Sequence, residues 1–307
     1  MSDQDRPVRP GVGVVGLGAM GLGMAHSLRT AGYDVGVHDL RTEVAEGFAR
    51  DGGTAYASPG DLAASADAEV VVSVVVSAAQ VESVLFGADG AADRLRPGAV
   101  FVMCSTVDPG WSAELGGRLA ERGVLYLDAP ISGGAARAAA GELTMMTSGP
   151  AEAYAVADPV LEAMSGTVYR LGEQPGLGSK VKIVNQLLAG VHIAAAAEAM
   201  ALGLRAGVPA EALYEVITHS AGNSWMFENR MAHVLAGDYT PLSAVDIFVK
   251  DLGLVLDSAR PERFPLPLAA TAHQMFLQAS ASGLGSEDDS AVIKIFPGID
   301  LPRPVGS

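Results

Sequence analysis

A short apolar stretch, Val12 to Val15, runs straight into Gly16-Leu17-Gly18-Ala19-Met20-Gly21, and this junction restricts what the chain can fold into more than any other segment. Glycine-rich turns alone are common. Here the flanks give the pattern meaning. Four apolar residues suit a parallel strand covered on both faces, and Met20, Met24 and Leu28 recur at helical spacing over the segment from Met20 to Thr30. In such a strand–turn–helix the first glycine allows the tight turn, the second lets the backbone approach a pyrophosphate, and the third permits close helix–strand packing. The opening amides of the helix aim unpaired N–H groups at phosphate. A second apolar run, Tyr33 to Val37, ends at His38-Asp39. That carboxylate lies about 20 residues beyond the glycines, where a ribose hydroxyl needs an acceptor. Gly16, Leu17, Gly18, Ala19, Met20, Gly21 and Asp39 are therefore candidate cofactor contacts, and NAD is the expected cofactor. Arg41 opposes that preference, because a nearby arginine can accommodate the 2′-phosphate of NADP.

The first half continues in the same alternation. Candidate strands are Val12–Val15, Val35–Val37, Val70–Val76, Val100–Met103 and Val124–Leu127, separated by helical segments, which reads as a doubly wound parallel sheet. Leu143–Thr147 and Thr167–Arg170 are expected to extend that sheet. The β-branched run around Val70–Val76 suits a central strand. Ligands bind at the carboxyl ends of such strands, so the loops after Val76 and Met103 are candidate cofactor walls, with Val75 and Val76 in contact.

After Gly172–Gly178 the pattern changes. Ser179 to Ala206 contains no proline and is apolar nearly all round, so burial between other elements is expected. Further helical segments follow at Ala210–Ser220, Ser224–Leu235, Ser243–Ala259 and Pro267–Ser282. The expected fold is thus α/β: a Rossmann-type dinucleotide-binding domain over 11–174, then an all-helical substrate and dimerisation domain over 175–307 that opens with the long helix. Such a helix often completes its core through a second subunit, so a homodimer or homotetramer is expected.

A net charge of −15 argues against nucleic acid as a partner. It also repels an anionic substrate at long range, so a carboxylate site needs local donors. The single cysteine, Cys104, sits in an apolar run and reads as a packed strand residue in a reducing compartment. Met1 to Pro10 lacks the apolar core of a signal peptide, and no uninterrupted apolar stretch reaches about 20 residues, so a cytoplasmic protein without a membrane partner is expected.

Two further blocks carry chemistry. Asp128-Ala129-Pro130-Ile131-Ser132-Gly133-Gly134 leaves no scope for regular strand after Pro130. Adjacent glycines let successive amides converge into a nest for a carboxylate, with the Ser132 hydroxyl as a third donor. The plainer reading is a turn that satisfies its own backbone. Lys182 stands on the apolar helix with Asn185 and Gln186 three and four positions on, near one face. It is either placed for function or reaching to solvent, and Lys180 can supply the solvated neighbour. The six histidines form no ligand pattern, so no metal is expected, and Asp288-Asp289 reads as a loop or capping pair.

These blocks, in this order, resemble the β-hydroxyacid dehydrogenase family, which includes 3-hydroxyisobutyrate dehydrogenase and tartronate semialdehyde reductase. The resemblance covers nearly the whole chain. It rests on Gly16–Gly21, on Asp128–Gly134, on the G-x-G-x-x-x-K-x-x-N block from Gly176 to Asn185, and on Lys250-Asp251-Leu252. It implies Lys182 as the catalytic proton-transfer group, Ser132, Gly133 and Gly134 on the substrate carboxylate, and Asn185 or Gln186 orienting the substrate. It further implies Thr106 at the nicotinamide ribose and Lys250 on the cofactor from the helical domain. The segments Gln186–Met200, Ala221–Arg230 and Glu287–Lys294 look like the branch that acts on L-threonate, so oxidation of that small carboxylate to its 2-oxo acid is the implied reaction. A 3-hydroxyisobutyrate, tartronate semialdehyde or β-hydroxy amino acid substrate is the alternative, and a catalytically silent nucleotide-binding module is the non-enzymatic one. Two departures stand out: Met103, where many relatives have an acidic residue, and Asn185, where that branch often has histidine.

Overall fold

The computed structural model describes residues 10–65 and 68–303. The chain divides into two compact units, 1–182 and 183–307. In the first, the strands and helices alternate as β1 (Val12–Val15), α1 (Gly21–Thr30), β2 (Val35–His38), α2 (Thr42–Arg50), β3 (Thr54–Ala55), α3 (Pro59–Ala64), β4 (Val70–Ser73) and α4 (Ala78–Phe86). They continue as β5 (Val100–Met103), α5 (Pro109–Ala120), β6 (Leu125–Asp128), β7 (Ile131–Ser132), α6 (Gly134–Ala140), β8 (Leu143–Thr147), α7 (Ala151–Met164) and β9 (Ser165–Arg170).

Six strands form one parallel sheet in the order β3-β2-β1-β4-β5-β6. The connections reverse direction between β1 and β4, which opens a crevice at their carboxyl ends. The last paired row across the sheet runs His38, Val15, Ser73, Met103, Asp128, so the loops after these five residues leave from the same edge. Valine supplies most of β1, β4 and β5, whose side chains are fully buried on both faces, as β-branched residues suit a sheet covered by helices. Met24 and Leu28 of α1 pack against this core, with Met20 partly buried beside them.

Three sequence expectations need correction. β8 and β9 do not extend the large sheet; they pair in parallel in a separate three-stranded sheet ordered β7-β8-β9. The segment after Pro130 does contain strand: Ile131 and Ser132 pair antiparallel with Met145 and Thr144. A proline cannot donate but can accept, and the Pro130 carbonyl takes the Met146 N–H at 2.9 Å, so pairing starts at that residue. Finally, β4 stops at Ser73 rather than Val76, because its neighbour β1 turns away at Gly16 and the ladder loses its partner.

The second unit is helical. The helix α8 (Leu177–Arg205) enters from the first unit and is followed by α9 (Ala210–Thr218), α10 (Trp225–Ala236), α11 (Val245–Ala259) and α12 (Pro267–Ala279). A π-turn over Ser280–Leu284 and a 3-10 turn over Asp289–Ile295 follow. Ile193, Ala197 and Met200 of α8 join Phe227, Met231, Phe248, Leu252, Phe276 and Val292 in one core. Gly190 lets α8 approach α11, since a Cβ there would lie 2.9 Å from the methyls of Leu252. The expectation that α8 is buried all round holds for one face only. Val181, Val184, Leu188 and Leu202 are exposed, 42 to 71% for each side chain's residue. Length and hydropathy alone would let α8 cross a bilayer, but it carries Lys182, Asn185 and Gln186 and builds this core, as the central helix of a globular unit does.

Candidate active site

The loop from Gly16 to Gly21 is built as the sequence requires. Gly16 has φ +93°, and a Cβ on it would sit 2.5 Å from the Val74 carbonyl oxygen, so only glycine turns here. A Cβ on Gly21 would fall 1.9 Å from the Gly16 carbonyl oxygen, which is how close helix and loop pack. Gly18 differs: nothing lies within 4 Å of its missing Cβ, so its backbone faces open space. Asp39, just past β2, accepts the Leu17 N–H at 2.6 Å and thereby ties this loop to the neighbouring strand. Burial pushes the Asp39 carboxyl up, yet hydrogen bonds from Arg41 and Leu17 outweigh it and hold the group below its ordinary range. Arg41 lies over the same carboxylate, donating from its backbone at 2.9 Å and from Nε at 3.0 Å, and its Nη2 reaches the Leu17 carbonyl at 3.1 Å. Open backbone at Gly18 and an ionised acceptor at Asp39 fit the pyrophosphate and adenosine ribose of a dinucleotide.

The loops after β4 and β5 are joined: the Ser105 hydroxyl donates to the Val75 carbonyl at 2.6 Å. Val75 is partly buried and Val76 exposed, and the Val76 N–H donates to Gln80 Oε1 at 2.7 Å. Thr106 follows in the same loop. Cys104 is buried and its thiol is pushed far up by desolvation, so it is a packed residue without thiolate character.

Beyond β6, Gly133 and Gly134 take φ of +137° and +78°, backbone conformations that favour glycine, beside the half-buried Ser132. Lys182 is buried on α8, six residues past Gly176. Asp128, at the end of β6 and fully buried, joins these two features. Its Oδ2 accepts the Gly176 N–H at 3.0 Å and the Ser179 N–H at 2.8 Å, and its Oδ1 accepts the Ser179 hydroxyl at 2.7 Å. The Ser148 hydroxyl accepts the Gly178 N–H at 3.1 Å. The amides at the start of α8 are thus satisfied from β6 and the end of β8. Burial raises the Asp128 carboxyl despite these donors. Asp128 opens the Asp128–Gly134 block, but the sequence alone assigns it no task. Its signal is an acid placed between apolar Leu127 and Ala129 at a strand end, where a carboxylate survives only if fully hydrogen-bonded.

In the second unit, Asn185 donates from Nδ2 to Gln186 Oε1 at 3.0 Å, and Gln186 donates from Nε2 to Asp251 Oδ2 at 2.5 Å. Lys250 Nζ lies 2.8 Å from Asp251 Oδ1. Buried Asp251, also unassigned from sequence, therefore joins three of the predicted site residues. Asp288 caps the 3-10 turn through the Ser290 N–H at 3.1 Å, and Asp289 makes a two-pronged buried pair with Arg230. His192 is half-buried on α8.

A doubly wound sheet with an open glycine loop and an ionised carboxylate at the end of its second strand is the architecture of a dinucleotide-binding domain. Comparison with known proteins agrees. Residues 11–172 match the family model described as the NAD binding domain of 6-phosphogluconate dehydrogenase, and 176–296 match NAD-binding of NADP-dependent 3-hydroxyisobutyrate dehydrogenase. The L-threonate dehydrogenase of Cupriavidus necator is 67% identical over 291 residues, covering 95% of this chain and 97% of that protein. The L-threonate dehydrogenase of Escherichia coli K12 is 54% identical over 291 residues, 95% of this chain and 96% of that protein. A crystal structure described as 3-hydroxyisobutyrate dehydrogenase from Salmonella typhimurium superposes with a TM-score of 0.88 at 53% identity, covering 93% of this chain and 99% of that one. The chain belongs to the β-hydroxyacid dehydrogenase family and is an NAD-dependent oxidoreductase of hydroxy acids.

Proposed function

We propose that this dehydrogenase oxidises L-threonate to its 2-oxo acid, with Lys182 as the proton-transfer group. The observation that carries the chemistry is the Asp128 brace, which seats the start of the lysine-bearing helix beside the strand end leading to Ser132, Gly133 and Gly134. The choice of substrate rests on the likeness to the L-threonate dehydrogenases. The dinucleotide-binding domain spans 11–174, and the helical substrate and dimerisation domain spans 175–307.

NAD, when bound, would supply the hydride acceptor; Gly16, Leu17, Gly18, Ala19, Met20, Gly21 and Asp39, with Val75, Val76 and Thr106, would hold it in the first unit, and Lys250 is the residue of the second unit that would serve the cofactor. Ser132, Gly133 and Gly134 donate hydrogen bonds to the substrate carboxylate and fix the carbon beside it. Asn185 and Gln186 bind the remaining hydroxyls, with Gln186 held in orientation by Asp251. As hydride leaves the carbon, the hydroxyl proton passes to the neutral amine of Lys182, which in the reverse direction returns it as an ammonium and stabilises the alkoxide. Lys182→Ala should lower kcat by about 10²- to 10⁴-fold while NAD affinity stays within a few-fold. Steady-state kinetics and an NAD titration measure both, and a near-normal kcat would remove the lysine from the mechanism.

The Salmonella structure's description keeps 3-hydroxyisobutyrate as the second reading. A panel of four-carbon sugar acids, 3-hydroxyisobutyrate and β-hydroxy amino acids with NAD, and tartronate semialdehyde with reduced NAD, followed by nicotinamide absorbance, decides between them. The exposed apolar row Val181, Val184, Leu188 and Leu202 on α8 supports a homodimer or homotetramer, which light scattering reads directly. A lone buried thiol and a dissolved cofactor suit the cytosol.

A further inference from the structure

A helix start can be capped cheaply by a serine or asparagine at its own first position. Here the capping group comes from 48 and 51 residues away and is a fully buried carboxylate, which is costly to desolvate unless its lone pairs are used. The geometry shows what the expensive choice provides. Three donors from Gly176 and Ser179 converge on both oxygens of Asp128, which fixes the helix start in translation and in rotation about its axis. Lys182 stands three residues past Ser179, on the same face one turn on. In the other direction, Asp128 is four residues of chain from Ser132. Its main chain is pinned as well, through paired bonds with Ser148 at 3.0 and 2.8 Å. Asp128 is thus linked by covalent chain to the proposed carboxylate nest and by hydrogen bonds to the turn that carries the proposed proton-transfer group.

We infer that Asp128 is a positioning residue for the reaction: it sets the distance and angle between Lys182 and the substrate held at Ser132–Gly134, and touches neither substrate nor cofactor itself. The inference rests on Lys182 being the proton-transfer group. A few tenths of an ångström matter at this point, because proton transfer needs the amine within hydrogen-bond reach of the reacting oxygen.

The test is a double-mutant cycle in the full-length enzyme. Asp128→Asn keeps one acceptor oxygen and a similar volume but cannot hold all three donors. It should lower kcat roughly 10- to 100-fold, as expected of a misplaced reactive group. The substrate KM and the NAD dissociation constant should move by no more than about threefold, since ground-state contacts are kept. In a Lys182→Ala background the same Asp128→Asn change should alter the residual kcat by less than about twofold, because the group it positions is gone. Ser179→Ala, which removes only the hydroxyl donor, should lower kcat by roughly threefold in the native background and leave the Lys182→Ala enzyme unchanged. It serves in the same cycle if Asp128→Asn does not fold. Equal losses in both backgrounds would make the carboxylate a fold-stability group only and overturn the inference, as would an unchanged kcat in either single variant. If Lys182→Ala keeps its kcat, the catalytic reading itself fails, and this inference with it.

Discussion

Removing the Arg41 side chain should sharpen the preference for NAD, and the structure sets the size of the effect. Arg41 is 54% exposed and Asp39 10%, and the two pair at 3.0 Å. An ion pair with one partner so exposed contributes about 0–1 kcal/mol. An adenosine ribose that takes the Asp39 carboxylate must displace that contact. Arg41→Ala removes the competition and should raise NAD kcat/KM by no more than about fivefold. For NADP the same guanidinium is the group available to a 2′-phosphate, in a charge-assisted bond worth roughly 1.5–3 kcal/mol, so NADP kcat/KM should fall about 10- to 100-fold. Asp39→Ala acts in the opposite sense. It removes the ribose acceptor and leaves the Leu17 N–H without its 2.6 Å partner, so NAD kcat/KM should fall by roughly 10²-fold. Initial rates with both cofactors, at saturating hydroxy acid, give the two ratios. An unchanged NAD-to-NADP ratio in Arg41→Ala would refute the assignment of this carboxylate and guanidinium to the 2′ position.

Two further outcomes follow from the nest and the helical core. Ser132→Ala should raise the substrate KM by roughly tenfold with kcat nearly unchanged, because a carboxylate contact is made equally in ground and transition states; a matching loss in kcat would place Ser132 in the chemical step instead. Asp289 is pushed up to about 7, chiefly by burial, with the Arg230 guanidinium opposing and Asp288 reinforcing. An unfolded aspartate titrates near 3.9, so between about 4 and 7 the native chain holds a proton that the unfolded chain releases, and the stability this confers is lost as pH rises toward 7. Thermal melts from pH 4.5 to 8 should show that decline, and Asp289→Asn should flatten it; an identical pH slope in both proteins would rule out Asp289 as its source.

The parts of this molecule that are local in sequence could be read from it. Val12–Val15 followed by Gly16–Gly21 announces strand, turn and helix within ten residues, and Met24 and Leu28 face the sheet as their spacing requires. What could not be read depends on partners distant in the chain. Nothing in Leu143–Thr147 says whether it joins the large sheet or pairs with Ile131–Ser132, because both outcomes bury the same apolar residues. The end of β4 was set by the turn in β1, not by its own valines. Asp128 and Asp251 stand in recognisable blocks, but a buried carboxylate shows its task only through donors 48 to 65 residues away. The apolar surround of α8 suggested burial on all sides, while its Val184 and Leu202 face outward.

The helix α8 has a further consequence for how such a chain can evolve. It spans Leu177–Arg205 without interruption. Each residue along a helix turns its successor by about 100°, so Lys182 and the core residue Ile193 are locked in phase. A one-residue insertion between them would swing the lysine about 100° around the axis relative to the face that packs with Ile193, Ala197 and Met200. Loops elsewhere can lengthen at small cost. Within α8 the residue count between Lys182 and that packed face is fixed, so a substitution is tolerated there more readily than an insertion.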